Sequence, residues 1–302
     1  MRRAVIDIGT NTVKLLVADI RAGQVLTVVA KDATTRLGEG VAATRHLSRV
    51  AIARTVQTIA DYAADAREHG AIEIIALTTS AARDADNRQE FLDAVRAKTG
   101  LTVEVITGQR EAELIFRGVS SDPAFGSGRL LVMDIGGGSA EFILGQAGMI
   151  EHLRSLPLGA VRLTEQFPDF ADLAEFLRAA LYRELAGFSD ARLIATGGTI
   201  TTLASICRAN GPLAERERRQ ASRLPYNAHV DHATFTLDEV RALVLKLHAM
   251  PLDQRRQVPG LPPERADIIV AGGAVVLFAI EALGVYELTV SVRNLRYGAL
   301  LD

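Results

Sequence analysis

One short motif occurs twice in this chain, and its recurrence limits the fold more than any other feature. Asp7-Ile8-Gly9-Thr10-Asn11-Thr12 lies at the start, and Asp134-Ile135-Gly136-Gly137-Gly138-Ser139 lies near the middle. Each copy follows an apolar run, Ala4 to Ile6 and Leu130 to Met133, and leads into a second, Val13 to Val17 and Phe142 to Leu144. That pattern predicts strand, tight turn, strand, with an aspartate closing the first strand. Glycine in the turn lets backbone N–H groups close on an anion, and the hydroxyls of Thr10, Thr12 and Ser139 add donors. Facing each other, two such loops would grip a phosphate chain from both sides.

The surroundings of the motif repeat as well. Strands are predicted over 4–8, 13–20 and 25–30, with Arg21-Ala22-Gly23-Gln24 as a turn, and again over 130–135, 140–145 and 150–156. Helices and strands alternate after each opening. In the first half, Ser48 is placed to cap a helix that Gly70 closes, and a strand over 72–77 runs into a loop over 78–84. Helices near 88–99 and 109–118 come next. In the second half, a strand over 193–195 runs into Thr196-Gly197-Gly198-Thr199, which opens a helix. Helices near 237–249 and 264–283, a strand over 286–290 and a last helix from Arg293 follow. The polar, glycine-rich stretch 120–128 reads as the linker. The expectation is a duplicated α/β protein with domains 1–124 and 125–302 and a cleft between them, the final helix, about 293–302, packing back on the first domain.

Composition narrows the partners. The 302 residues are 48% hydrophobic, enough for two ordinary cores, and the net charge of −2 leaves no global basic field for duplex nucleic acid. Aromatics are 5% and tryptophan is absent, which disfavours a stacking platform for single strands. Cys207 is the single cysteine, so no internal disulfide forms, which suits a reducing cytoplasm; its apolar neighbours point to a buried, inert thiol. No secretory leader or membrane span is read, and a cytoplasmic protein is expected.

Individual residues stay ambiguous at this level. Asp7 and Asp134 would either meet a divalent cation with hard oxygen ligands or cap their own turns. Gly197, Gly198 and Thr199, at a helix start, suit either an anion or close packing. Glu111 falls in the first turn of a helix, where a carboxylate also favours the dipole, and nothing in its spacing alone makes it catalytic. Arg83 could bind phosphate or pair with Asp84 or Asp86 on the surface. Gly272-Gly273 reads as tight packing, and Glu215-Arg216-Glu217-Arg218-Arg219 as a solvated face.

Taken in order, the segments resemble the exopolyphosphatase/guanosine pentaphosphate phosphohydrolase family, within the actin-like, sugar-kinase and Hsp70 ATPase superfamily of ribonuclease H-like domains. The resemblance rests on both Asp-Ile-Gly loops, Arg36-Leu-Gly-Glu-Gly40, Thr79-Ser-Ala-Ala-Arg83-Asp, Gly108-Gln-Arg-Glu111-Ala-Glu-Leu, Leu156-Pro-Leu-Gly-Ala-Val-Arg162-Leu, Thr196-Gly-Gly-Thr199 and Leu295-Arg-Tyr-Gly298. It implies that Glu111 is the base activating water. It implies that Gly9, Thr10, Asn11, Thr12, Gly136, Gly137, Gly138, Ser139, Gly197, Gly198 and Thr199 bind phosphates with Arg83, and that Asp7, Asp134 and Glu141 place Mg²⁺, with Mn²⁺ as an alternative. The substrate implied is inorganic polyphosphate, with guanosine penta- or tetraphosphate as the alternative ligand and a homodimer as an expectation of the family. A kinase of the same superfamily and a non-catalytic alarmone sensor are the other readings. Two departures stand out. Arg110 replaces an often acidic residue before Glu111, and Val292-Arg293-Asn294 replaces the usual lead-in to the last motif. The additional C-terminal helical domain of longer members, resembling HD phosphohydrolases, is expected to be absent.

Overall fold

The computed structural model describes residues 1–126, 128–210 and 228–302; Ser127 of the expected linker and the charged stretch 215–219 lie outside the described residues. The chain forms two compact units, Met1–Pro123 with Arg293–Asp302, and Ala124–Val292.

The first unit opens with β1 (Arg2–Ile8), β2 (Thr12–Arg21) and β3 (Gln24–Thr34), and continues through β4 (Glu73–Thr78) and β5 (Val103–Val105). Strand order is β3-β2-β1-β4-β5. The first three strands are antiparallel, whereas β4 and β5 run parallel to β1. This is the ribonuclease H-like arrangement. Alternation along β1 and β2 sends Ala4, Ile6, Ile8, Val13, Leu15 and Val17 into one core with Ile52, Val56 and Ile59 of α2 (Arg49–Glu68) and Phe91 and Val95 of α4 (Arg88–Thr99). The same alternation puts Val5, Asp7 and Lys14 on the opposite face. Ser48 Oγ accepts from Ala51 N at 3.1 Å and caps α2 as expected. Two short helices complete this stretch, α1 (Val41–Thr44) and α3 (Ser80–Asp84). The latter overturns the expected loop over 78–84: Ser80, Ala81 and Ala82 are small enough to bury one tight turn against the core. Helix α5 (Gly108–Ser120) follows β5 and is capped by Thr107, whose Oγ1 accepts from Arg110 N at 3.1 Å.

The second unit repeats the opening with β6 (Arg129–Ile135), β7 (Ala140–Gln146) and β8 (Met149–Leu156), and adds β9 (Arg192–Thr196), β10 (Thr234–Thr236) and β11 (Glu287–Val290). Its order β8-β7-β6-β9-β11 reproduces the first sheet, with β10 added at the far edge. The copying extends to details. Both second hairpins, β2–β3 and β7–β8, turn on an Ala-Gly pair with positive φ at both residues, Ala22-Gly23 (49° and 75°) and Ala147-Gly148 (50° and 80°), the geometry that matches strand twist. Both second strands carry a register shift against the third, between Val17 and Ala18 and between Leu144 and Gly145.

Helices α6 (Ala160–Gln166), α7 (Phe170–Glu184), α8 (Gly197–Asn210), α9 (Leu237–Ala249) and α10 (Leu252–Arg255) precede α11 (Ile269–Leu283). Helix α11 is buried from Ile269 to Ile280 and packs on α6, α7, α8 and α9, as an all-round apolar helix must. It begins later than the expected 264, because Pro263–Arg265 forms a separate 3-10 turn. Gly272 and Gly273 do serve packing, against Thr199 and Val244. The last helix, α12 (Leu295–Leu300), starts two residues after the expected Arg293, capped by Asn294.

Candidate active site

In the first unit the site residues gather where the parallel strands β1, β4 and β5 end. Asp7 closes β1, Arg83 lies in α3 just after β4, and Glu111 lies in the first turn of α5 just after β5. Such strand ends are where α/β folds collect ligands. Arg83 Nη1 donates to Glu111 Oε2 at 3.1 Å and to the Ile106 carbonyl at 2.9 Å. The surface pairing considered for Arg83 is therefore not formed; Asp86 pairs with Arg45 instead, 2.9 Å away. Glu111 is buried, and a buried carboxylate tied to one guanidinium keeps a defined direction. Asp7 accepts no hydrogen bond from any described residue. Burial pushes its carboxyl above the ordinary value, and the positive charges of Lys14 and Arg296 pull it back. A half-buried carboxylate left without donors suits a hard cation as its missing partner.

The loop after Asp7 is built to present donors. Thr35 N and Arg36 N donate to the Asn11 carbonyl at 3.0 and 2.9 Å, and Gly38 N donates to the Thr10 carbonyl at 2.9 Å. With those carbonyls occupied, the Thr10 and Asn11 N–H groups and the Thr10 hydroxyl remain without an acceptor among the described residues. Asn11 Oδ1 is buried without a partner, while Asn11 Nδ2 lies 3.4 Å from Thr12 Oγ1. Rotating the amide by 180° would pair its oxygen with that hydroxyl and turn its two N–H donors into the open position. A Cβ at Gly38 would run into the Thr10 side chain, so glycine is required for the brace to approach. Arg36, in the brace, holds the left-handed conformation at φ 49°, a strained state for a side-chain-bearing residue.

The second unit repeats the device. Ala160 N donates to the Gly136 carbonyl at 2.9 Å, Val161 N and Arg162 N donate to the Gly137 carbonyl at 2.9 and 3.2 Å, and Arg162 Nε donates to the Gly138 carbonyl at 2.9 Å. Gly159 sits against the Gly137–Gly138 peptide where a Cβ would collide with it. The N–H groups of Gly137, Gly138 and Ser139 and the Ser139 hydroxyl are left without acceptors among the described residues. Thus Thr35, Arg36 and Gly38 in one unit and Ala160, Val161 and Arg162 in the other, within two motifs with no evident role in sequence, fix the loops' carbonyls and leave their donors open to an anion.

Asp134, Glu141 and Ser155 form a row across β6, β7 and β8. Ser155 Oγ donates to Glu141 Oε1 at 2.8 Å, and Glu141 is buried. The Asp134 carboxylate lies in the notch of Gly197, whose φ is 90° and whose missing side chain makes the room. The duplication is unequal here: the position across from Asp7 is Lys14, whereas that across from Asp134 is Glu141. Only the second copy offers two carboxylates side by side. Gly197 and Gly198 open α8 with N–H groups that have no acceptor among the described residues, while the Thr199 hydroxyl donates to the Ile135 carbonyl at 3.1 Å. Sequence reasoning missed Arg265. Its guanidinium is buried and stacked on Gly198, a second cation at a glycine turn. Nothing in Pro262-Pro263-Glu264-Arg265 signals burial, because arginine is normally exposed. Cys207, by contrast, stands apart from this chemistry; burial pushes its thiol up to about 11.

Comparison with known proteins agrees with this architecture. Residues 16–302 match the Ppx/GppA phosphatase family. "Exopolyphosphatase 1" of Mycobacterium tuberculosis is 32% identical over 314 residues, covering 100% of this chain and 88% of the relative. "Exopolyphosphatase 2" of the same organism is 32% identical over 327 residues, covering 98% of the relative. Among solved structures, an Aquifex aeolicus Ppx/GppA family member superposes with TM-score 0.78 at 30% identity, over 100% of this chain and 96% of that one. An exopolyphosphatase from Cytophaga hutchinsonii gives 0.85 at 29%, over 99% and 96%.

Proposed function

The chain belongs to the Ppx/GppA phosphatase family, and we propose that it is an exopolyphosphatase that removes the terminal phosphate of inorganic polyphosphate as orthophosphate. The observation that carries this reading is that each unit has a braced loop whose N–H groups at Thr10–Asn11 and Gly137–Ser139 have no acceptor among the described residues, and that the first unit also holds a buried glutamate on an arginine. Open backbone donors suit the nonbridging oxygens of a phosphate chain and need no global basic charge.

In the proposed reaction the loop donors of Thr10–Asn11 and Gly137–Ser139, with Arg83, bind and orient the terminal phosphates. Arg83 Nη1 is engaged with Glu111 and Ile106, which leaves the other edge of its fork for phosphate. Glu111 takes a proton from water, the water oxygen bonds to the terminal phosphorus, and the bridging P–O bond breaks with its electrons staying on the shortened chain. Base assistance of this kind contributes roughly 10²–10⁴-fold. Asp7 of the first unit and Asp134 with Glu141 of the second would offer oxygen ligands of the kind that suits Mg²⁺, or Mn²⁺ in its place. Bound there, the cation would neutralise charge on the transferred group.

A panel of short polyphosphate, long polyphosphate and guanosine pentaphosphate, with and without Mg²⁺, tests the assignment by phosphate release. Polyphosphate turnover that depends on Mg²⁺ and falls about 10²-fold or more in Glu111→Gln, with binding retained, is the expected result. Faster release from guanosine pentaphosphate would move the protein to the other branch of its family. Binding without release under every condition would make it a sensor, and near-wild-type release by Glu111→Gln would remove the base.

A further inference from the structure

The last motif, Leu295-Arg296-Tyr297-Gly298, is not absorbed by the chemistry above, yet it contacts both the sheet and α5 of the first unit. Arg296 is 4% exposed. Its Nη1 donates to the Leu15 carbonyl in β2 at 2.9 Å and its Nε to Asn294 Oδ1 at 3.3 Å. Both acceptors are neutral, and the carboxylate that its charge acts on is Asp7. Burying a guanidinium on neutral acceptors costs several kcal/mol, so a helix meant only to cover the sheet would be better served by an apolar side chain. Arg3 Nη1 donates to the Leu300 carbonyl at 3.1 Å and ties α12 to β1; the Tyr297 hydroxyl lies 2.9 Å from Thr27 Oγ1 in β3.

The other side of α12 grips the helix that carries Glu111. A Cβ at Gly298 would run into the Leu114 carbonyl, and one at Gly118 into the Asn294 carbonyl, so the two backbones touch directly. Arg293 Nη1 donates to the Ser121 carbonyl at 2.6 Å, and its Nε lies 3.4 Å from Asp122 Oδ2, at the end of α5. Near the beginning of α5, Arg110, the residue before Glu111, shares the Asp302 carboxylate with Arg117. The segment 293–302 therefore holds β1 and β2 with one face and α5, from its first turn to its end, with the other.

We infer that segment 293–302 is a positioning element of the hydrolytic site: Arg296 and Gly298 set the Asp7 strand and its loop against the Glu111 helix. This rests on the proposed phosphohydrolase reading. Arg296 touches neither water nor phosphate in this account; it acts through Asp7 and the β2 backbone. A direct backbone contact transmits displacement with little loss, and a misplacement of about 1 Å at a reacting centre can cost about 100-fold.

The test uses the full chain with Arg296→Met, Arg296→Lys, Gly298→Ala and, as a control on the same helix, Tyr297→Phe. Arg296→Met and Gly298→Ala are expected to lower kcat for polyphosphate about 10- to 100-fold with KM within about twofold, and Arg296→Met to raise the Mg²⁺ concentration needed for half-maximal rate. Arg296→Lys should recover part of the kcat. Tyr297→Phe should lose stability without loss of kcat. Amide exchange at Glu111 and Ala112 should quicken in Gly298→Ala. If folded Arg296→Met and Gly298→Ala keep kcat within about twofold while melting earlier, the segment is only a structural strap and the inference fails. Should wild type release phosphate from no substrate, the functional reading fails separately. The exchange rates at Glu111 and Ala112 then decide the positioning claim alone, unchanged rates overturning it. If Gly298→Ala does not fold, the contrast between Arg296→Met and Arg296→Lys still decides.

Discussion

Asp7 shows how one residue can carry opposing demands. Its carboxyl is desolvated and has no hydrogen-bond donor among the described residues, and the field of Lys14 and Arg296 only partly offsets that, so its folded pKa lies above the unfolded one. Below the ordinary carboxylate value both states are protonated and folding carries no penalty. As pH rises through the folded value, the native state must ionise a poorly solvated group and stability falls. Metal-free Asp7→Asn should therefore melt higher than wild type at pH 8, with the difference shrinking towards pH 4, while its Mg²⁺-dependent turnover collapses. A variant that melts lower than wild type at pH 8 in chelator would show that Asp7 is a structural anchor instead. Cys207 makes the contrary case of a residue without work at the site. With its thiol at about 11, only about one molecule in a thousand carries a thiolate at pH 8. Alkylation should be slow in the native protein and fast in urea, with no loss of activity on prolonged native exposure.

At the level of elements, the braces in each unit occupy the glycine loops' carbonyls and leave N–H donors open, which is what the proposed anion site requires. Gly159→Ala would force a methyl group into the Gly137–Gly138 peptide, and Gly38→Ala would press on Thr10. Overpacking of this kind typically costs about 1–3 kcal/mol, and the loops should shift before the sheets do. The expected outcome is a rise of about tenfold or more in KM for polyphosphate, checked against Gly23→Ala in the β2–β3 turn. That control strains a positive φ of 75° but meets open space, so it should lose some stability and keep its KM. Local signals carried much of this level. The α4 bounds, the Ser48 cap and the two three-strand openings follow from periodicity and capping chemistry, which operate within a few residues. The misreadings have equally local causes. Ser80–Asp84 lacks the apolar period of a helix yet forms one because its small residues are buried, and Pro262-Pro263 delays the start of α11. What sequence could not disclose are partnerships over long separations: Arg83 with Glu111, Arg265 with Gly198, and N–H groups 25 or so residues away saturating a loop's carbonyls.

For the whole molecule, duplication supplies a scaffold and divergence supplies the chemistry. Both units share strand order, hairpin turn, register shift and loop brace, and each has its own apolar core. They differ at candidate site positions. Lys14 faces Asp7 where Glu141 faces Asp134, and the first unit sets an arginine-held glutamate at its strand ends. The motif order was enough to identify the family, because eight short segments in register over one chain are far more specific than any glycine loop. The return of 293–302 to the first unit gives its motif a place beside α5, the helix that carries Glu111. The central claim is that water, activated by Glu111, attacks the terminal phosphorus of a polyphosphate. A single turnover in ¹⁸O-labelled water measures this directly. One ¹⁸O in each released orthophosphate and none in the shortened chain, with the signal lost in Glu111→Gln, is the predicted result. Label in the shortened chain, or unlabelled phosphate, would contradict the account.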